Sequence, residues 1–399
     1  MTNNSDRLHP HEYKSSNGDK LEKTACIIVG GGITGLITAT ILQRQGISVT
    51  ILDKGRGIGG RVATRRVSHE DSIEGVFDYG TQYFSVQNDK FQVWVDDWLK
   101  RGVIEEWSQG FPQESLKDVT EYMRRLSPRG GITSSNGETE SPLFGLAESD
   151  DLLTQTQTHN RFAYGETDGK PRYCGVKGIR GIAKHLAADL DVHTSCKVVK
   201  INYDKQWVVE AEDGEQYISE MLLLTPPVPQ SLDLLDASLI VLPLDVRFAL
   251  ESITYESSIS VLALLEKPSE IPPPGGLALE NSDLVWLADN YQKGISPNGY
   301  AVTLQSTASF SEYYWDSDDA EIAYKLLTAA ADYLNSAVIK YQVHRWRYSY
   351  PKTFHSQPNL ALSEIPLILA GDGFVSPKIE GAVLSGIATG ELISKRFKG

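Results

Sequence analysis

A chain of 399 residues is long enough for two or three domains, or for one large enzyme in two parts. Its content of 41% hydrophobic and 23% charged residues is ordinary for a soluble globular protein, with ample material for a core. A formal charge of −14 argues against nucleic acid or an anionic membrane surface as the main partner, and an anionic substrate would need a local basic patch.

Three cysteines, Cys26, Cys174 and Cys196, have no metal-ligand or redox spacing. So sparse and odd a count fits a reducing compartment, and the cytoplasm is the expected location. No run of about 18 apolar residues is present, so no transmembrane helix is expected. Residues 1–23 are polar, lack an apolar signal core and read as a disordered lead-in.

Folding starts at Thr24. "TACIIV" reads as a buried parallel strand, and Gly30 to Gly35 turn the chain. "ITGLITATILQRQG" has helical spacing and stops at Gly46, and "ISVTILD" is a second buried strand, completing a β-α-β unit. "DKFQVWVDDWLKRG" predicts an amphipathic helix with Trp94 and Trp98 on one face, and "SPRGGITSSNGETESP" from Ser127 a loop. "IRGIAKHLAADL" predicts a helix; "KVVKINY" and "QWVVEAEDGEQYI" predict strands with a hairpin at Asp213-Gly214. "MLLLTPPVP" reads as a separate apolar strand cut off by prolines. Beyond Ser231, "ISVLALLE", "LVWLAD" and "AVTLQS" read as strands, "PPPGG" as a turn and "DAEIAYKLLTAAADYL" as a helix. The end of the chain is again strand, loop and helix, the helix opening at about Ile379 to Ala382.

Gly30, Gly32 and Gly35 fit G-x-G-x-x-G, in which the glycines close a turn, admit a pyrophosphate and let helix pack on strand. Asp53 ends the second strand 18 residues beyond Gly35, where a carboxylate can accept from a ribose hydroxyl. Directly behind it, "DKGRGIGGRVATRR" adds a second glycine pair, Gly59-Gly60, and Arg61. A domain for nicotinamide dinucleotide alone has no use for that second turn, whereas a bound FAD folded along the sheet has its pyrophosphate within reach. "FDYGTQYF" and "GDGFVSPKIEGAVLSG" are two more glycine-bearing stretches, and in the second an acid, Asp372, lies between strand and helix. That acid can hold a ribityl hydroxyl, and amides at the helix start can stabilise charge on the flavin pyrimidine ring.

These stretches resemble the flavin amine oxidase-like superfamily and, more closely, the renalase family, from about Ala25 to Ile393. The likeness rests on "IIVGGGITG", "DKGRGIGGR", "DYGTQYF", "GVKGIRGIAKHL", "TPPVPQ", "ITYESSISVLALLE", "HRWRYS" and "LAGDGFVSPKIEGAVLSG". The stretch from about Leu126 to Arg172 is longer than the family pattern. The resemblance implies an α/β protein: a discontinuous, doubly wound Rossmann-like FAD domain (24–88, 173–230 and 355–399) and a mixed-sheet α+β substrate domain (89–172 and 231–354). By the same pattern Asp53 holds the adenosine ribose, Arg61 the pyrophosphate and Val198 the adenine. Gly80, Thr81, Gln82 and Tyr83 lie beside the isoalloxazine, Asp372 faces the ribityl chain, and Gly381-Ala382 reach the ring carbonyl. Ile33, Thr34, Lys54, Gly60, Thr225, Gly371 and Glu380 complete the expected cofactor contacts.

Renalases oxidise off-pathway dihydro isomers of NAD(P)H and pass the electrons to O2 as hydrogen peroxide. Such a reaction asks little of side chains beyond stacking a good hydride donor on flavin N5. No catalytic side chain and no metal site is assigned. Amine oxidases of the superfamily place a lysine beneath N5 and an aromatic residue before the terminal Gly-Ala; here Ser260 and Lys378 stand there. A non-catalytic flavin-binding sensor and another flavin oxidoreductase on the same scaffold remain alternatives, with an amine as the alternative substrate. Tyr83, Tyr255, Trp346, Arg347 and Lys378 are the candidates for the substrate pocket, Tyr255 and Trp346 being equally suited to filling a core. Strict strand alternation puts Arg345 and Arg347 on one face and Trp346 on the other. His185, His193 and His344 read as structural. Covalent attachment of the flavin and oligomeric state stay open.

Overall fold

The computed structural model describes residues 23–69, 73–112, 168–280 and 282–398. The lead-in before Lys23, the Ser127 loop and the long insert as far as residue 167 lie outside the described residues.

Apolar runs near the two ends of the chain and in its middle meet in one eight-stranded sheet. Its parallel part runs in the order Leu367–Ala370, Gln216–Leu224, Lys23–Val29, Val49–Leu52 and Asp191–His193. Ile27, Ile28, Ile51, Leu222 and Leu223 have no solvent exposure, as strands covered on both faces require. "QYI" and "MLLL" form one strand, where the sequence reading has two. Its polar first half pairs antiparallel with Gln206–Ala211, and its apolar second half enters the parallel sheet, so the pattern changes while the backbone continues.

Helices close both faces. Ile33–Arg44 is apolar on most sides because it lies between the sheet and the terminal helix Ile379–Lys398. Gly386 and Gly390 let those two helices touch: a Cβ on Gly386 would sit 2.8 Å from the Thr34 carbonyl oxygen, and one on Gly390 2.9 Å from Ile41 Cβ. Thr34 and Thr38 hydroxyls donate across the contact to the Ala382 and Gly386 carbonyls at 2.9 and 3.0 Å. Asp89–Lys100, capped by the Asn88 side chain, places Phe91, Val95 and Trp98 in this same core, with the Trp94 and Trp98 rings 6.2 Å apart. On the opposite face, Val228–Ala237 and Leu244–Glu251 pack with Ile27, Leu222 and Leu369.

The second sheet has the order Gly276–Ala278, Leu284–Asp289, Tyr300–Ser306, Tyr255–Leu265 and Val338–Pro351. The sequence reading expects a mixed sheet here, whereas all four pairings are antiparallel. Ile259 to Leu265 are buried without alternation, since helices cover one face and the hairpin Thr64–His69/Ile73–Asp78 covers the other. That hairpin hands the chain from the first sheet to the second and carries the "DYGTQYF" stretch between them.

Forcing the two helices apart tests the frame. Gly386→Val overpacks the contact and is expected to cost about 1–3 kcal/mol, lowering the thermal midpoint followed by circular dichroism.

Candidate active site

The carboxyl ends of the parallel strands open onto a cavity of about 2140 Å³ that extends from Val198 to the antiparallel sheet. Ligands of open parallel sheets bind at this edge, where loops and helix starts leave backbone amides exposed. At the near end, Gly30 adopts φ +106°, and Thr225 Oγ1 donates to the Val29 and Gly30 carbonyls at 2.9 and 3.0 Å, fixing the turn. Gly35 is needed for packing, since its Cβ would lie 2.3 Å from the Gly30 carbonyl oxygen. Gly32 differs: a Cβ there would meet no atom within 4 Å and would project into the cavity. Gly59 and Gly60, both at positive φ, fold the second turn beside it, the Gly59 amide donating to the Gly31 carbonyl at 2.8 Å. Asp53 accepts the Gly31 and Gly55 amides at 2.6 Å each, which orients the carboxylate and leaves a lone pair on each oxygen for a further donor.

Midway, Arg61 and Asp372 meet in a bidentate pair at 2.5 and 2.7 Å, and the same guanidinium donates to the Tyr348 carbonyl at 3.1 Å. Planar fork against carboxylate is the strongest ion-pair geometry a protein has, and it joins the second glycine turn to the terminal strand-helix segment. Glycine cradle, oriented carboxylate, paired arginine and a helix start with no side-chain cap fit an FAD laid along this edge. The group itself supplies the hydride-accepting chemistry. Basic residues including Lys54, Arg56, Arg65 and Arg172 line the wall, against Asp53, Asp233 and Asp372 among the described carboxylates.

At the far end the backbone of Asp78 to Gln82 is gripped by the antiparallel sheet. The Asp78 carbonyl accepts from Thr303 Oγ1 (2.9 Å), that of Tyr79 from Ser260 Oγ and Trp346 Nε1 (2.9 Å each), and that of Gly80 from Gln305 Nε2 (2.8 Å). Behind this wall Lys293 Nζ lies 2.7 Å from Asp78 Oδ2 and donates to the Gln82 carbonyl at 2.6 Å, both charged side chains being fully buried. Tyr83 packs with Trp107, Phe111 and Trp286 at 4.8 to 6.3 Å between ring centres. Its ring also faces the Arg172 guanidinium at 5.8 Å.

Most of the sequence-derived candidates reach the cavity. Gly30, Gly32, Ile33, Thr34, Asp53, Lys54, Gly60, Arg61, Gly80 to Tyr83, Val198, Thr225, Asp372, Lys378 and Ala382 line it. Gly35, Gly371, Glu380, Gly381 and Tyr255 do not. Glu380 Oε1 accepts the Gln87 and Asn88 amides at 2.8 and 2.7 Å, and a Cβ on Gly381 would strike the Ser376 carbonyl. Tyr255 sits behind the Arg61 pair, its hydroxyl accepting the Val228 amide at 3.4 Å. Trp346 and Arg347 share the wall despite adjacency. Ser258 pairs with Trp346 but Glu256 with Tyr350, so extra residues bulge out between them and break the alternation. Arg345 is held by Asp319 and the Trp315 and Ser317 carbonyls, while Arg347 lies 4.6 Å over the Trp315 ring.

His344 packs edge-on against Tyr79 and Trp346 at 4.9 and 4.3 Å, and burial, with Arg65 adding to it, pushes its pKa down to about 4. His193 has a neighbour that the sequence reading did not see, Asp191 Oδ1 at 3.2 Å. Among the described residues no cluster of His, Cys, Asp or Glu can hold a metal, and no helix is long and apolar enough to cross a membrane. The sequence reading missed Lys293, Asp78, Gln305 and the Trp107–Phe111–Trp286 group. No local pattern marks them, because each acquires its role from a partner far away in the chain.

A profile described as NAD(P)-binding Rossmann-like domain matches residues 28–98, and one described as flavin containing amine oxidoreductase matches residues 88–393. Renalase of Mus musculus is 21% identical over 390 residues, spanning 92% of this chain and 98% of its own length. Putrescine oxidase bound to putrescine superposes with a TM-score of 0.65 at 14% identity, covering 94% of this chain and 99% of that one. Cyclohexylamine oxidase from Brevibacterium oxydans IH-35A gives 0.64 at 13% identity, covering 94% and 100%. At such identities the structural likenesses speak to the fold alone.

Two measurements follow from this geometry. Gly32→Ala should melt close to the parent protein yet bind FAD at least ~10-fold more weakly in a fluorescence titration, since its methyl group enters the cavity and touches no protein atom. For His344 the folded-state pKa lies below the ordinary 6.5, so the unfolded chain takes up the proton first. Its contribution to stability is complete above pH 6.5 and is lost as the pH falls toward about 4. In chemical denaturation across that window, His344→Phe should show a shallower acid slope than the parent.

Proposed function

Because the chain belongs to the family of flavin-containing amine oxidoreductases and is renalase-like, we propose that it is an FAD-dependent oxidase of dihydronicotinamide substrates, the isomers of NAD(P)H. The net reaction takes a hydride from the dihydropyridine ring and two electrons on to O2, so that NAD(P)H, H⁺ and O2 give NAD(P)⁺ and hydrogen peroxide. One observation carries this reading: the cavity of an acidic protein is walled by cations, and at its reactive end they stand among aromatic rings. Arg347 and Lys378 have no ion-pair partner among the described residues. They suit the phosphates of a dinucleotide and would repel an ammonium.

In this reading Asp53 takes the adenosine ribose and Val198 the adenine. The amides at Gly32 to Thr34, together with Gly60, meet the pyrophosphate, with Arg61 and Asp372 alongside the ribityl chain. Gly80 to Tyr83 and Ala382 border the ring, and Tyr83 and Trp346 flank the substrate. The residues bind, stack and exclude water. No side chain has to remove a proton from a substrate that already donates hydride. An aromatic cage alone would also attract an amine through its ring faces, but Arg172 already faces Tyr83 and Lys293 faces Trp107 at 4.6 Å. Ser260, where amine oxidases of the superfamily carry lysine, points its hydroxyl at the Tyr79 carbonyl.

Anaerobic mixing of the yellow holoenzyme with a substrate panel tests this. Dihydronicotinamide isomers should bleach the flavin at least ~100-fold faster than benzylamine, and faster than ordinary NADH. Faster bleaching by benzylamine would establish amine oxidation instead, and rapid bleaching by NADH a reductase.

A further inference from the structure

A lysine and an aspartate that are both wholly inside a protein need a reason to be there. Removing two charges from water costs several kcal/mol per ion, and an apolar pair of similar size often does as well for stability. Lys293 and Asp78 have 0% side-chain exposure and lie 215 residues apart in the chain.

Both members are closed off from other partners. Asp78 Oδ1 accepts from Thr64 Oγ1 at 2.6 Å and from the Ile179 amide at 2.9 Å, while Oδ2 takes Lys293. The ammonium donates to Asp78 and to the Gln82 carbonyl and lies 4.6 Å from the centre of the Trp107 ring. Lys293 is absent from the cavity wall, so it meets neither cofactor nor substrate.

Its reach is through a peptide group. The Gln82 carbonyl and the Tyr83 N–H belong to one planar trans unit, in which the two dipoles point in opposite directions. With the carbonyl turned back to Lys293 behind the wall, the N–H is turned toward the cavity that Gln82 and Tyr83 line. Among the described residues the Tyr83 amide has no protein acceptor, whereas those of Tyr79 and Thr81 donate to the Ala63 and Arg61 carbonyls. A cation on the carbonyl polarises the peptide and makes its N–H a stronger donor.

We propose that Lys293, seated by Asp78, is a positioning residue for the flavin: it aims and polarises the Gln82–Tyr83 peptide so that the Tyr83 amide presents positive charge to the FAD ring. Negative charge grows on that ring when it is reduced, so a fixed donor beside it favours the reduced form. The inference concerns the cofactor and holds whichever substrate is oxidised.

The test is the double variant Lys293→Met/Asp78→Asn, which removes both charges together and keeps a side-chain carbonyl at position 78 to accept from Thr64 and Ile179. Holoenzyme of this variant should have a lower flavin reduction potential and shifted visible absorption bands, with kcat reduced more than KM is changed. A bolt that merely joins the two sheets would lower the melting temperature while leaving potential and bands at the parent values, and that result overturns the proposal. Should the double variant not accumulate, Lys293→Gln keeps a neutral donor to the Gln82 carbonyl. Its potential should also fall, and an unshifted value there equally overturns the proposal.

Discussion

Four of the five peptide units between Asp78 and Tyr83 are held from outside their own segment. Carbonyl oxygens of Asp78, Tyr79, Gly80 and Gln82 all accept from side chains that the antiparallel sheet and its loops supply, while the Tyr79 and Thr81 amides donate to the first glycine-rich half. Holding the strip from both sides makes the two sheets a single site. It also gives Ser260, Thr303 and Gln305, polar positions of the antiparallel sheet, a shared use: each donates to a carbonyl of the strip.

Charge is organised on the same plan. The chain is acidic overall, yet its cavity collects lysines and arginines from the glycine loops, from the helix Arg180–Leu186, from the strand Val338–Pro351 and from the start of the terminal helix. Low-dielectric walls lined by one sign of charge concentrate that field, which suits an anionic cofactor. Arg61 is matched by Asp372, and that pair joins segments 311 residues apart.

Much of the nucleotide-binding half was legible before any coordinates. Gly30, Gly32, Gly35 and Asp53 carry their meaning in spacing alone, because a turn with positive φ, a close phosphate approach and a strand-end carboxylate are local demands on local residues. Glu380 shows the limit of such reading: it sits inside a recognisable motif, yet its carboxylate caps the neighbouring helix Asp89–Lys100 and faces away from the cavity. Trp346 and Arg347 show another. Period-two reasoning separates them, and a bulge opposite Glu256 and Ser258 brings them back to one wall.

Sequence by itself determined the β-α-β nucleotide fold, which rests on periodicity and on glycines whose backbone freedom no other residue supplies, while stretches such as "DYGTQYF" and "TPPVPQ" carried the resemblance from which the family was expected. Tertiary structure alone decided which side chains meet at the reactive end. Lys293 with Asp78, Tyr83 with Trp286 and Ser260 with Tyr79 are contacts between segments some two hundred residues apart, and no local regularity records them. A charge buried between sheets looks, in a one-dimensional chain, the same as a charge left in water; folding alone tells them apart.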